Sequence, residues 1–76
     1  MSVYRWEHNK VALGGDRWNL VNDFGGVCTL VRYGRLPVTR VYWPMERTDA
    51  YPTPAAAAAA VRAEVGVGVP SLPLAH

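Results

Sequence analysis

Residues 26–44 read GVCTLVRYGRLPVTRVYWP, and the fold follows from how that stretch is divided. Val27–Tyr33 and Val38–Trp43 are both rich in β-branched and aromatic residues. Gly34-Arg35-Leu36-Pro37 between them has the length and composition of a hairpin loop. Setting Tyr33 opposite Val38 puts Val31 opposite Arg40, Leu30 opposite Val41, Thr29 opposite Tyr42 and Cys28 opposite Trp43. Side chains alternate between faces along a strand. One face therefore carries Cys28, Leu30, Val41 and Trp43, with Arg32 and Thr39 near the turn. The other carries Val27, Thr29, Val31, Tyr33, Val38, Arg40 and Tyr42. The first composes a core. The second is more apolar and aromatic than a solvated sheet face usually is, so a second layer or another molecule is expected to cover it.

Upstream of the hairpin, Val3–His8 alternates, with Tyr4, Trp6 and His8 on one side and Arg5 and Glu7 on the other. Asn9-Lys10 is a candidate turn, and Gly14-Gly15-Asp16 a firmer one. Arg17–Asn22 gives a second strand with Trp18 and Leu20 facing together, and Asn22–Gly26 is the turn into the hairpin. Downstream, Met45–Pro52 reads as a polar connection without periodicity. Thr53-Pro54 and the six alanines Ala55–Ala60 then open a helix ending at Gly66. Thr53 suits the N-cap, Pro54 the first helical position and Gly66 a left-handed stop. Twelve residues make about 18 Å of helix, too short to stand unpacked. Its contact stripe is Ala57, Ala58, Val61 and Val65.

The expected fold is α+β: a three- or four-stranded antiparallel β-meander with one C-terminal Ala-rich helix packed on one face. Residues 1–66 form a single domain. The Pro- and Gly-containing stretch 67–76 reads as an extended tail, either a frayed mobile end or an apolar arm that wraps this domain, a partner or a symmetry mate.

A chain of 76 residues is one domain at most and buries only about 60% of the surface that its unfolded form exposes. The single cysteine, Cys28, excludes an intrachain disulfide and a thiolate zinc cluster, and reads as a small buried hydrophobe. There is no run of about 18 apolar residues to cross a membrane, and the charged start MSVYRWEHNK is unlike a secretory signal. A cytoplasmic protein with no membrane partner is expected. The net charge is +2, too mild to imply nucleic acid by itself. Seven of the eight basic residues are arginine, which reads first as the codon usage of a GC-rich genome, as in bacteria and their viruses. Arginine and tryptophan are also the side chains enriched at interface hot spots.

The chemical inventory is sparse. Ser2, Ser71, His8, His76 and Cys28 are the nucleophile and base candidates, and the His and Cys positions show no ligand spacing. Asp23-Phe24-Gly25 matches a kinase triplet without the lobes a kinase needs, and Gly14-Gly15-Asp16 lacks the Lys-Ser/Thr of a phosphate loop. No catalytic residue, cofactor or metal is assigned, and the chain is expected not to be an enzyme. Arg32, Arg35 and Arg40 cluster on the hairpin with Tyr33, Tyr42 and Trp43 between them. Such a basic and aromatic sheet could grip phosphates and stack bases, although a binder held by phosphate contacts is usually a more basic domain.

The layout Trp18…Gly25-Gly26…Val41-Tyr42-Trp43…Thr53-Pro54-Ala55, followed by an Ala-rich helix, resembles small strand–strand–strand–helix proteins of bacteria and their phages. Among these are anti-CRISPR and host-takeover inhibitors. The resemblance spans roughly residues 17–66 and is one of size and layout, so it transfers no functional residue. It implies a stoichiometric, non-enzymatic protein binder that blocks a host protein complex in the bacterial cell. The partner-binding residues expected from the hairpin are Val31, Tyr33, Arg35, Arg40, Tyr42 and Arg32. The alternative is a small nucleic-acid-binding protein using the same hairpin, and a homodimer closing the exposed sheet face on itself is a third reading.

Overall fold

A computed structural model describes residues 3–73. Five strands run in sequence as β1 (Arg5–Val11), β2 (Gly15–Asn22), β3 (Gly25–Arg32), β4 (Thr39–Tyr42) and β5 (Thr48–Tyr51), followed by α1 (Pro54–Val65). All neighbours pair antiparallel in the order β1-β2-β3-β4-β5, so the sheet is a meander of five strands rather than three or four. The fifth lies in the segment read as a polar connection. Thr48-Asp49-Ala50-Tyr51 is four residues long with little apolar alternation, and its place comes from pairing with β4. The first strand also runs straight through Asn9-Lys10. The chain turns at Ala12–Gly14, where Leu13 takes a left-handed backbone with φ 63°.

The central hairpin has the register that its sequence predicts: Thr29 opposite Tyr42, Leu30 opposite Val41 and Val31 opposite Arg40, continuing to Arg32 opposite Thr39. Tyr33 and Val38 lie just outside the ladder, in a loop tightened by the Leu36 N–H donating to the Tyr33 carbonyl at 3.2 Å. One break in alternation is a bulge. Leu20 pairs with Cys28 but Val21 pairs with Gly26, which leaves Val27 as the extra residue. Val27 packs against the core, although an uninterrupted count puts it on the opposite face.

Trp18 and Leu20 of β2, Leu30 of β3 and Val41 of β4 line the covered face, and Ala57 and Val61 of α1 close over them. Ala58 and Val65 pack at the margin of this core, so the helix presents the stripe that its spacing predicts. Large side chains on the sheet and methyl groups on the helix let the two layers approach closely. The Thr53 hydroxyl accepts from the Ala56 N–H at 3.1 Å, Pro54 stands at the helix start, and the Gly66 N–H donates to the Arg62 carbonyl at 2.8 Å. Gly66 has φ 138° and ψ 171°, a mirror-image extended conformation open in practice only to glycine. It sends the chain back toward the sheet.

The stretch after Gly66 is thus an arm on this domain. Val69 is 2% exposed and belongs to the core, with Leu72 packed against it. The carbonyls of Pro70 and Pro73 each accept an indole N–H at 2.9 Å, from Trp6 and Trp18 respectively. The strap covers the β1–β2 half of the face that α1, lying over β3–β5, leaves open. Residues 74–76 of the expected tail, like Ser2 and His76 among the nucleophile and base candidates, lie outside the described residues.

Candidate interaction surface

Helix and strap occupy one face of the sheet, and the other lies uncovered among the described residues. Paired residues share a face, so the register gives two rows across it. The first runs Asn9, Arg17, Val31, Arg40 and Ala50, and the second runs Glu7, Asn19, Thr29, Tyr42 and Thr48. Arg17 and Arg40 therefore flank Val31 from the strands on either side of it, about 10 Å apart at the backbone. Neither has an ion-pair partner among the described residues, whereas Arg5 pairs with Glu7 at 3.2 Å near the β1 edge.

Beside the first row, the hydroxyls of Tyr33 and Tyr42 are 2.8 Å apart, and the rings are 37% and 36% exposed. Their mutual hydrogen bond, with burial, pushes the ionisation of Tyr42 above its ordinary value, so this corner presents neutral hydroxyls. The Thr29 hydroxyl donates to the Asn19 side-chain oxygen at 2.8 Å. A shallow depression of about 340 Å³ opens beside them, with Glu7, Val21, Val27 and Tyr42 among its walls. The surface holds two free guanidinium groups, a valine floor and a tyrosine pair on rigid strands.

Of the six residues expected to bind a partner, Val31, Tyr33, Arg40 and Tyr42 fall together here. Arg35 sits exposed in the β3–β4 loop at the end of the same hairpin. Arg32 does not join them. It points to the covered face, where it donates twice to the buried Asp16 carboxylate and once to the Gly14 carbonyl at 3.1 Å. Trp43 also faces away, with its indole N–H on Asp49 at 3.0 Å and the Arg47 guanidinium 5.1 Å from its ring. Arg17, Asn19 and Val21 complete the surface and were not singled out from sequence. The alternation of β2 beside β3 is the signal that places them.

The acid–base groups near this sheet are held in structure. Asp16, 4% exposed, accepts from Arg32, from Lys10 at 3.0 Å and from His8 at 2.8 Å. Burial alone would raise its pKa, but these hydrogen bonds and charges hold the carboxyl well below the usual range. His8 stacks on Trp18 with centroids 5.2 Å apart. The Cys28 thiol is pushed up to about 12 by burial, with a contribution from the Glu64 charge, which leaves it unreactive. No group of three potential metal ligands occurs among the described residues.

A second, apolar concavity of about 560 Å³ lies between α1 and the strap, walled chiefly by Ala58, Ala59, Ala63, Pro70 and Leu72. None of the described helices is long and apolar enough to cross a membrane. No family model, no curated protein and no solved structure matches the chain.

Proposed function

We propose that this protein is a non-enzymatic protein-binding module whose uncovered sheet face is its interface. The observation that supports the reading is the asymmetry of the sheet. Helix and strap seal one face, while the other sets the half-buried Val31 between two unpaired arginines and leaves the Tyr33–Tyr42 pair exposed near them. Aromatic and arginine side chains on a rigid scaffold are the usual anchors of protein interfaces. Two guanidinium groups without an ion-pair partner among the described residues suit a partner with an acidic patch. The finer reading, an inhibitor that occupies a host protein complex in the manner of phage-encoded proteins, rests on the likeness in size and layout alone. A nucleic-acid interface has less to draw on, because Arg32 and Trp43 point to the opposite face.

The test is affinity capture from a bacterial lysate, with and without nuclease, using the wild-type chain, Arg40→Glu, Tyr42→Ala and the helix-surface control Arg62→Glu. A discrete protein held by the wild type and the control, insensitive to nuclease and lost with the two face variants, is the expected result. Each face variant should weaken binding by roughly tenfold or more with circular dichroism unchanged. Binding retained in both moves the interface elsewhere, and recovery abolished by nuclease replaces the protein partner with nucleic acid.

A further inference from the structure

The two edges of the sheet are unlike. β5 exposes four residues between Pro44 and Pro52, a short edge bracketed by residues that cannot donate to a ladder. β1 exposes seven residues with no proline and no bulge. Its outer row of backbone N–H and C=O groups has no partner among the described residues. Among the described residues the strap meets this edge through side chains, with the Trp6 indole N–H on the Pro70 carbonyl and the Tyr4 ring beside Gly68. On the covered side this edge carries Tyr4, Trp6 and His8, all half-buried, with Lys10 exposed and held on Asp16, and on the open side Arg5, Glu7 and Asn9, all exposed, with Val11 half-buried.

We propose that the outer edge of β1 pairs with the same edge of a second copy of this chain, antiparallel and centred on Trp6, making one sheet of the two. Symmetry and charge select that register. A two-fold axis perpendicular to the sheet keeps open face beside open face, so only residues of like parity can stand opposite one another. Centring on Arg5 sets Arg5 against Arg5, and centring on Glu7 sets Glu7 against Glu7. Both oppose like charges, which destabilises a cross-strand pair. Centring on His8 leaves Arg5 opposite Val11 and Glu7 opposite Asn9, with no charge matched. Centring on Trp6 sets Arg5 opposite the partner's Glu7 and Glu7 opposite the partner's Arg5. It also brings Trp6 against Trp6 and Tyr4 against the partner's His8, covering aromatic surface that the strap leaves half-exposed. One strand pair buries less than the roughly 1,600 Å² of a standard stable interface, so the association is a reversible one.

The test is sedimentation equilibrium of the whole chain over a concentration series at low salt. The wild type should show a monomer–dimer equilibrium. Arg5→Glu and Glu7→Arg, which remove only an exposed intrachain pair from the monomer, should each weaken it by roughly tenfold to a hundredfold. The double reversal R5E/E7R should restore it, and so should an equimolar mixture of the two single variants, whose edges are complementary. Circular dichroism of each variant, expected to match the wild type, separates lost pairing from lost folding. A wild type monomeric throughout overturns the proposal, as do single variants that dimerise like it or folded single variants whose mixture stays monomeric. A dimer broken by Tyr42→Glu and indifferent to the edge charges also overturns it, and makes the open face the site of self-association.

Discussion

Thr39 lies fully buried on the covered face with a hydroxyl that has no hydrogen-bond partner among the described residues. Such a group carries its desolvation cost without return, and an apolar side chain of the same shape avoids that cost. Thr39→Val is therefore expected to be neutral or to stabilise by up to about 1–2 kcal/mol in a urea titration. Asp16 is the opposite case, a buried carboxylate whose every neighbour favours its charge. Its pKa is depressed by folding, so its contribution is fully present above the unfolded carboxylate range and is lost as pH falls below about 4. Asp16→Asn should cost about 2–3 kcal/mol at neutral pH and flatten the acid limb of a stability–pH profile. The face of Arg32 follows from parity in the sequence, but the acid that holds it does not. Asp16 stands opposite Arg32 only once β2 and β3 are in register, and a carboxylate in a Gly-Gly-Asp turn signal looks solvated until then.

Elements are legible where local chemistry and packing agree. The hairpin register, the division of its faces and the helix from cap to contact stripe are all carried by residues whose local preference matches their final place. β5 was hidden because the turn before it breaks the usual chemistry. Met45 and Glu46 both have φ near 65°, where a hairpin of this kind normally has Asn-Gly. The strain is local and removable, since Met45 is 96% exposed. Glu46→Gly is expected to stabilise by about 1 kcal/mol, read as a shift of the denaturation midpoint. At the C-terminal end of α1 the sign reverses. A side chain at Gly66 meets no atom, yet its backbone angles exclude one, so Gly66→Ala should cost about 1–3 kcal/mol. That is comparable to or more than the ~1 kcal/mol of losing the Thr53 cap in Thr53→Ala.

At the scale of the whole molecule, the core is assembled from three parts: sheet, helix and strap. The two indole N–H groups on the strap carbonyls join the end of the described chain to β1 and β2. Sequence could offer the strap only as one of two readings, because prolines in an arm and prolines in a frayed end look alike. What decides is Val69 meeting a pocket built by strands far earlier in the chain. The open face is legible as an apolar anomaly on one hairpin, but its second arginine comes from the neighbouring strand. Cys28 offers a probe of the assembly as a whole. Its thiol, pushed up to about 12, should resist alkylation in the native state and react at the rate of global opening. Stability should fall as pH rises past about 9, because only the unfolded thiol ionises there. The alanine run has a consequence for heredity. Pro54 and six alanines separate the Thr53 cap from Val61, and each residue of helix turns the chain by about 100°. Replacing one of the outward alanines changes little. A copying error that adds or drops one swings Val61 off the sheet, takes Glu64 from Arg47 and re-aims the strap. Along this run the fold depends on the number of residues everywhere, and on their identity only where Ala57 and Ala58 meet the sheet.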